Sequence, residues 1–158
     1  MKLVDTFWFN AVWFQATWFC CVLGREAWVP VALLSLALHF YLVSDRGLEF
    51  RRLLPVAMAG IGVDVMLTLI GVFDFGSATV VPIWLIVLWW VFAAALYRSF
   101  AKIGQSMWLA AVLGGIAVPF NYMVGARLGA VSLPLGEMLS VTVLVAIWIG
   151  LLPLLYRI

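Results

Sequence analysis

The sequence predicts an all-α integral membrane protein of six transmembrane helices, arranged as three helical hairpins with both termini in the cytoplasm. Three observations carry that prediction. Of 158 residues, 67% are hydrophobic and 10% charged, where soluble domains carry roughly half apolar and a quarter charged residues. Six windows reach the ~20 apolar residues that a bilayer core demands of one helix. Lys and Arg also collect on alternate connections, as the positive-inside rule requires of cytoplasmic loops. With no basic face or arm in a chain of net charge +2, nucleic acid is not an expected partner.

The first window, residues 6–24, reads TFWFNAVWFQATWFCCVLG. Asn10 and Gln15 interrupt its aromatic core and no small-x-small cleavage site follows, so it is a span and not a signal peptide. Cys20 and Cys21 are the only cysteines. As neighbours on a helix they point in different directions, and with one histidine in the chain no disulfide framework or metal site is expected. The second window covers 27–44, the third 53–74, the fourth 79–97, the fifth 107–125 and the sixth 132–155. Pro30, Pro82 and Pro134 stand 52 residues apart, each expected in the first turn of a helix returning from outside, where proline is tolerated. Aligning the second and fourth spans on these prolines also matches Phe40 with Phe92 and Arg46 with Arg98, which suggests a repeat. Pro119 removes the bond to the Gly115 carbonyl and is expected to bend the fifth span. All connections are short, so the whole chain forms one transmembrane domain.

Orientation follows from the basic residues. With the N-terminus inside, Lys2, Arg46, Arg51, Arg52, Arg98, Lys102 and Arg157 are cytoplasmic, and only Arg25 and Arg127 are outside. Trp8, Trp28, Trp84 and Trp108 lie near span ends and are expected to form an interfacial belt.

Polar residues within the spans are the functional candidates. Ala57, Gly60, Asp64, Thr68 and Gly71 are spaced by three and four, so they share a face whose small residues admit another helix. Asp64 thus points into the bundle. At mid-membrane an aspartate costs about 2.5–3.5 kcal/mol and requires a partner, water or a proton. It is either an ionisable functional centre or a structural acid, protonated or bonded to Gln15. Stripes of the same kind carry Asn121 (with Ala110, Gly114, Ala117 and Gly125), His39 (with Ala32 and Ser35) and Asn10 (with Thr17, Cys21 and Gly24). Arg127 and Glu137 lie toward the outer face, as a structural pair or as a headgroup or substrate site. Asn10, Gln15, His39, Asp64, Thr68, Asn121, Arg127 and Glu137 therefore form either one polar track or separate knots of interhelical hydrogen bonds. No phosphate-binding loop, Ser/His/Asp triad or pair of carboxylates at one depth is present. No catalytic residue, cofactor or metal is expected, and an enzyme is the least supported reading.

The segments NAVWFQATWFCCVLG, VDVMLTLIGVFDF, PIWLIVLWWVFAAALYRSF and GGIAVPFNYMVGARLGAV resemble the bacterial membrane family catalogued as domain of unknown function 2878. The resemblance covers nearly the whole chain, with residues 125–131 its most distinctive piece. It implies a small multi-pass protein of the Gram-negative inner membrane, brings no established activity, and carries a weak lipid context because its members often neighbour genes for lipid-modifying enzymes. Where the resemblance leads one to expect Asn-His-Ser, this chain reads Tyr97-Arg98-Ser99, so any proton chemistry of that histidine is lacking here. The favoured expectation is a protein that binds or carries a lipid or other amphiphile in a polar-lined bundle. The alternative is a non-catalytic scaffold for a lipid-modifying enzyme. Exposed helix faces also leave room for a homo-oligomer.

Overall fold

A computed structural model describes residues 3–158; Lys2, one of the basic residues assigned inside, lies outside them. Among the described residues there are six α-helices and no strand: α1 Phe7–Gly24, α2 Val29–Leu42, α3 Arg46–Leu69, α4 Ile83–Leu96, α5 Met107–Arg127 and α6 Glu137–Leu155. The stretches Phe7–Leu42, Arg46–Leu69, Met107–Arg127 and Glu137–Leu155 are long and apolar enough to cross a membrane; Ile83–Leu96 is apolar but shorter. The helices fall into two compact units, residues 1–62 with 82–101 and residues 63–81 with 102–158.

In the first unit, α1 and α2 form a hairpin reversed at Arg25–Trp28, where Arg25 takes a positive φ of 48°. Thr17 Oγ1 lies 2.7 Å from Ser35 Oγ, and the Trp13 ring stacks on His39, which fixes the antiparallel register. The stripes Asn10/Thr17/Cys21 and Ala32/His39 are buried. Helix α4 is buried on nearly all sides, because it is apolar all round and has no polar face to offer. Its N-terminus, freed by Pro82, is capped from a distance: Ile83 N–H donates to Glu26 Oε1 at 2.9 Å. Trp84 is therefore a core residue, 5% exposed, and does not belong to the expected belt; Trp8, Trp28 and Trp108 are exposed.

Helix α3 begins seven residues before the expected span. Asp45 accepts from the Leu48 N–H at 2.9 Å and so caps the helix, starting it within polar sequence ahead of the apolar run. At the other end the Val72 N–H bonds the Leu67 carbonyl and the Gly71 N–H bonds that of Thr68, with Gly71 at φ 80°. This is a Schellman stop, which only a residue at ease with positive φ makes cheaply.

In the second unit, α5 and α6 pack as an antiparallel hairpin. A Cβ on Gly114 would collide with the Trp148 backbone, and one on Gly115 would crowd Ile149, so small residues set this close approach. Helix α5 runs unbroken through Pro119 and ends in a second Schellman stop at Gly129, φ 75°. The chains leaving these two stops meet in an antiparallel bridge, Asp74 with Ser132. The same 58-residue offset separates Gly71 from Gly129, Asp74 from Ser132 and the bonded pair Asp64 and Tyr122. Pro134 falls in the loop ahead of α6 and Pro82 is the N-cap of α4, so of the three prolines only Pro30 lies in the first turn of its helix.

Candidate functional site

Counting back from Ala57 in steps of four gives Leu53 and then Glu49, both buried. The small-residue stripe of α3 therefore continues into its polar first turns and places a carboxylate against the ends of α2 and α4. Glu49 Oε1 accepts from Arg98 Nη1 at 2.6 Å and lies 2.8 Å from His39 Nε2. Because a carboxylate only accepts, the proton of this contact belongs to Nε2, which leaves Nδ1 facing the interior. The side chains of His39, Glu49 and Arg98 are 1%, 8% and 12% exposed. Taking a carboxylate this far out of water is expensive, and the guanidinium offsets the cost by direct ion pairing.

Next to this group Ser99 Oγ donates to Asn10 Oδ1 at 3.1 Å, and both residues are buried. Among the described residues, three buried polar atoms of the cluster find no hydrogen-bond partner: Asn10 Nδ2, His39 Nδ1 and Arg98 Nε. Arg98 Nε comes within 3.8 Å of Asp5 Oδ1, too far for a hydrogen bond. Above Arg98 and Glu49 opens a cavity of about 200 Å³, with Asp5, Ser44, Asp45 and Arg52 around it and Val4, Val43 and Leu48 as its apolar wall. Arg52 stacks over the Tyr97 ring at 4.1 Å. This is where three charged segments converge, residues 4–5, 43–52 and 98, and it is the strongest candidate site in the first unit.

Gln15, in the same unit, is exposed on α1 and is not turned toward this cluster; the remaining predicted residues belong to the second unit. Asp64 is wholly buried, as its stripe implies. Its Oδ1 accepts from the Tyr122 hydroxyl at 2.6 Å, and the Tyr122 ring stacks on Phe73. Thr68 donates to the backbone carbonyl of Asp64 and not to its carboxylate. Asn121 and Ala117 are exposed, with Asn121 Nδ2 donating to the Ala117 carbonyl at 2.8 Å. The face of α5 turned inward carries Gly114, Gly115 and Pro119 instead. Arg127 pairs with Glu137 at 2.9 Å, both well exposed. Within the second unit the predicted residues thus fall into separate small groups and not one continuous run.

The sequence singles out neither Glu49 nor Tyr122, and it brings in Arg98 and Ser99 only through orientation, the proline alignment and the family resemblance. The signal for Glu49 was present in the periodicity of α3, hidden because the residue lies among charges that read as a loop. Among the described residues, no three His, Cys, Asp or Glu side chains are grouped to hold a metal ion.

The profile of a family described as "Protein of unknown function (DUF2878)" matches residues 7–154. The chain belongs to this family. Neither the curated proteins nor the solved structures contain a match. The match takes in His39, Glu49, Arg52 and Arg98 but not Asp5, which precedes it.

Proposed function

We propose that this chain is a six-span protein of the bacterial inner membrane, both termini cytoplasmic, that binds or carries a membrane amphiphile by holding its polar head in the Glu49–Arg98 cavity. One observation carries the reading: a buried, mutually neutralised pair forms the floor of an open charged cavity at the end of an apolar bundle. Arg46, Arg51, Arg52 and Arg98, the basic residues assigned to the cytoplasmic side, cluster at that end of the first unit, where lipid headgroups lie. A volume of about 200 Å³ is below the ~300–1,000 Å³ of sites that enclose a whole drug-sized ligand. It suits a headgroup whose acyl chains remain outside. Leu48 lines the cavity yet is 65% exposed, and Phe50 and Tyr41 nearby are also exposed, which gives such chains an apolar path into the bilayer.

The test is native mass spectrometry of protein purified in mild detergent. The wild type is expected to retain a stoichiometric amphiphile, and Arg52→Gln, at an exposed position that leaves the Glu49–Arg98 pair intact, is expected to lose most of it. Equal retention by both proteins, or none by either, contradicts the reading.

A further inference from the structure

The lining of this cavity also specifies the kind of head it accepts. Among the described residues, its five charged side chains do not cancel. Asp5, Asp45 and Glu49 oppose Arg52 and Arg98, and Glu49 and Arg98 are committed to one another at 2.6 Å. What is left is one guanidinium and two carboxylates. Arg52 lies over the Tyr97 ring and makes no ion pair with any described residue, so the donor edge of its guanidinium is free. Asp45 uses Oδ1 to cap the Leu48 N–H and has no cationic partner among the described residues. Asp5, half-exposed, meets its nearest cation among the described residues, Arg98, only at 3.8 Å.

A single anion such as a phosphoglycerol head would satisfy Arg52 but bring its charge toward two carboxylates, which disfavours it. A bare amine would leave Arg52 unused. Quaternary ammonium groups are held by aromatic faces, whereas the side chains around this cavity are carboxylates, guanidiniums, a hydroxyl and aliphatic groups. Carboxylates instead suit an ammonium with N–H donors, and a planar guanidinium suits a phosphate.

We propose, building on the headgroup-binding reading above, that the ligand head is zwitterionic: a phosphate diester carrying a primary ammonium, its phosphate on Arg52 and its ammonium between Asp5 and Asp45. The selectivity then comes from the two aspartates and the general affinity from Arg52.

The experiment titrates the full chain in detergent with three short-chain phospholipids that differ only in the head: phosphoethanolamine, phosphocholine and phosphoglycerol. Binding is followed by native mass spectrometry. The phosphoethanolamine lipid is expected to bind about tenfold tighter than either of the others, the scale of a close, partly desolvated charge pair. Asp5→Asn combined with Asp45→Asn is expected to abolish that preference while binding persists; asparagine also caps helices, so α3 is preserved. Arg52→Gln is expected to weaken all three. Equal or tighter binding of phosphoglycerol, or a preference unchanged by the aspartate variants, overturns the zwitterion assignment and leaves the headgroup site standing. Binding of none of the three by the wild type overturns both.

Discussion

At the level of single residues, the first unit depends on a carboxylate that cannot be buried alone. Glu49 is held by Arg98 and His39, and removing one member of a buried pair leaves the other charge stranded. Glu49→Gln is therefore expected to destabilise the protein by about 3 kcal/mol, read as a lowered thermal midpoint in detergent. Exchange of the exposed Asp74 for Asn supplies a control with little effect. An unchanged midpoint for Glu49→Gln would show that the pair is not structural. Residues differ in how legible they were for physical reasons. Asp64 stood out because an acid inside an apolar run has one explanation, an inward face. Glu49 did not, because charges on both sides of it gave it a simpler reading as part of a solvated loop. Tyr122 was overlooked because tyrosine in a membrane span is common; only the stripe across α5 would have marked it, and that stripe was traced through Asn121, one residue away and on the exposed side. An error of one residue turns a helix by about 100°, enough to exchange core for surface.

At the scale of the element, small residues decide which helices touch. Gly60 faces the Trp89 ring so closely that an added Cβ would collide with it, whereas nothing lies within 4 Å of a Cβ at Gly62. Gly60→Ala is expected to cost about 1–3 kcal/mol through overpacking. Gly62→Ala is expected to gain about 0.5–1 kcal/mol from helix propensity. Paired melts of the two variants in one detergent check both signs; a Gly60→Ala protein as stable as Gly62→Ala would contradict the packing. Helix existence was readable from hydropathy, but ends were not always. The start of α3 depends on the Asp45 cap and lies in sequence that hydropathy scores as polar. Its end depends on Gly71, which as one more small residue on the stripe looked like part of the span. The buried position of Trp84 follows from α4 being apolar all round and enclosed by its neighbours, a signal outweighed by the residue's place near a span end.

At the scale of the whole molecule, the distribution of Lys and Arg is the legible quantity, because insertion reads charge directly and not through folding. In the first unit Arg46, Arg51, Arg52 and Arg98 come together at one end, and Arg25 belongs to the reversal Arg25–Trp28 at the far end of the α1–α2 hairpin. In the second, Lys102 lies next to a segment, at Gly104, that contacts Tyr156, the neighbour of Arg157. Reporter domains fused to either terminus are accordingly expected to be active only as cytoplasmic markers. Opposite sidedness of the two fusions would rule out an even number of spans. The cavity was not legible, since it is assembled from three chain segments brought together by tertiary packing. Its occupant is tested most directly by photocrosslinking with a phospholipid analogue that carries a diazirine in its head, followed by mapping of the adducts. Adducts are expected to concentrate in residues 43–52 and 97–99 and to be reduced by Arg52→Gln. Adducts scattered along the exposed helix faces, or gathered at Arg127 and Glu137, would contradict it.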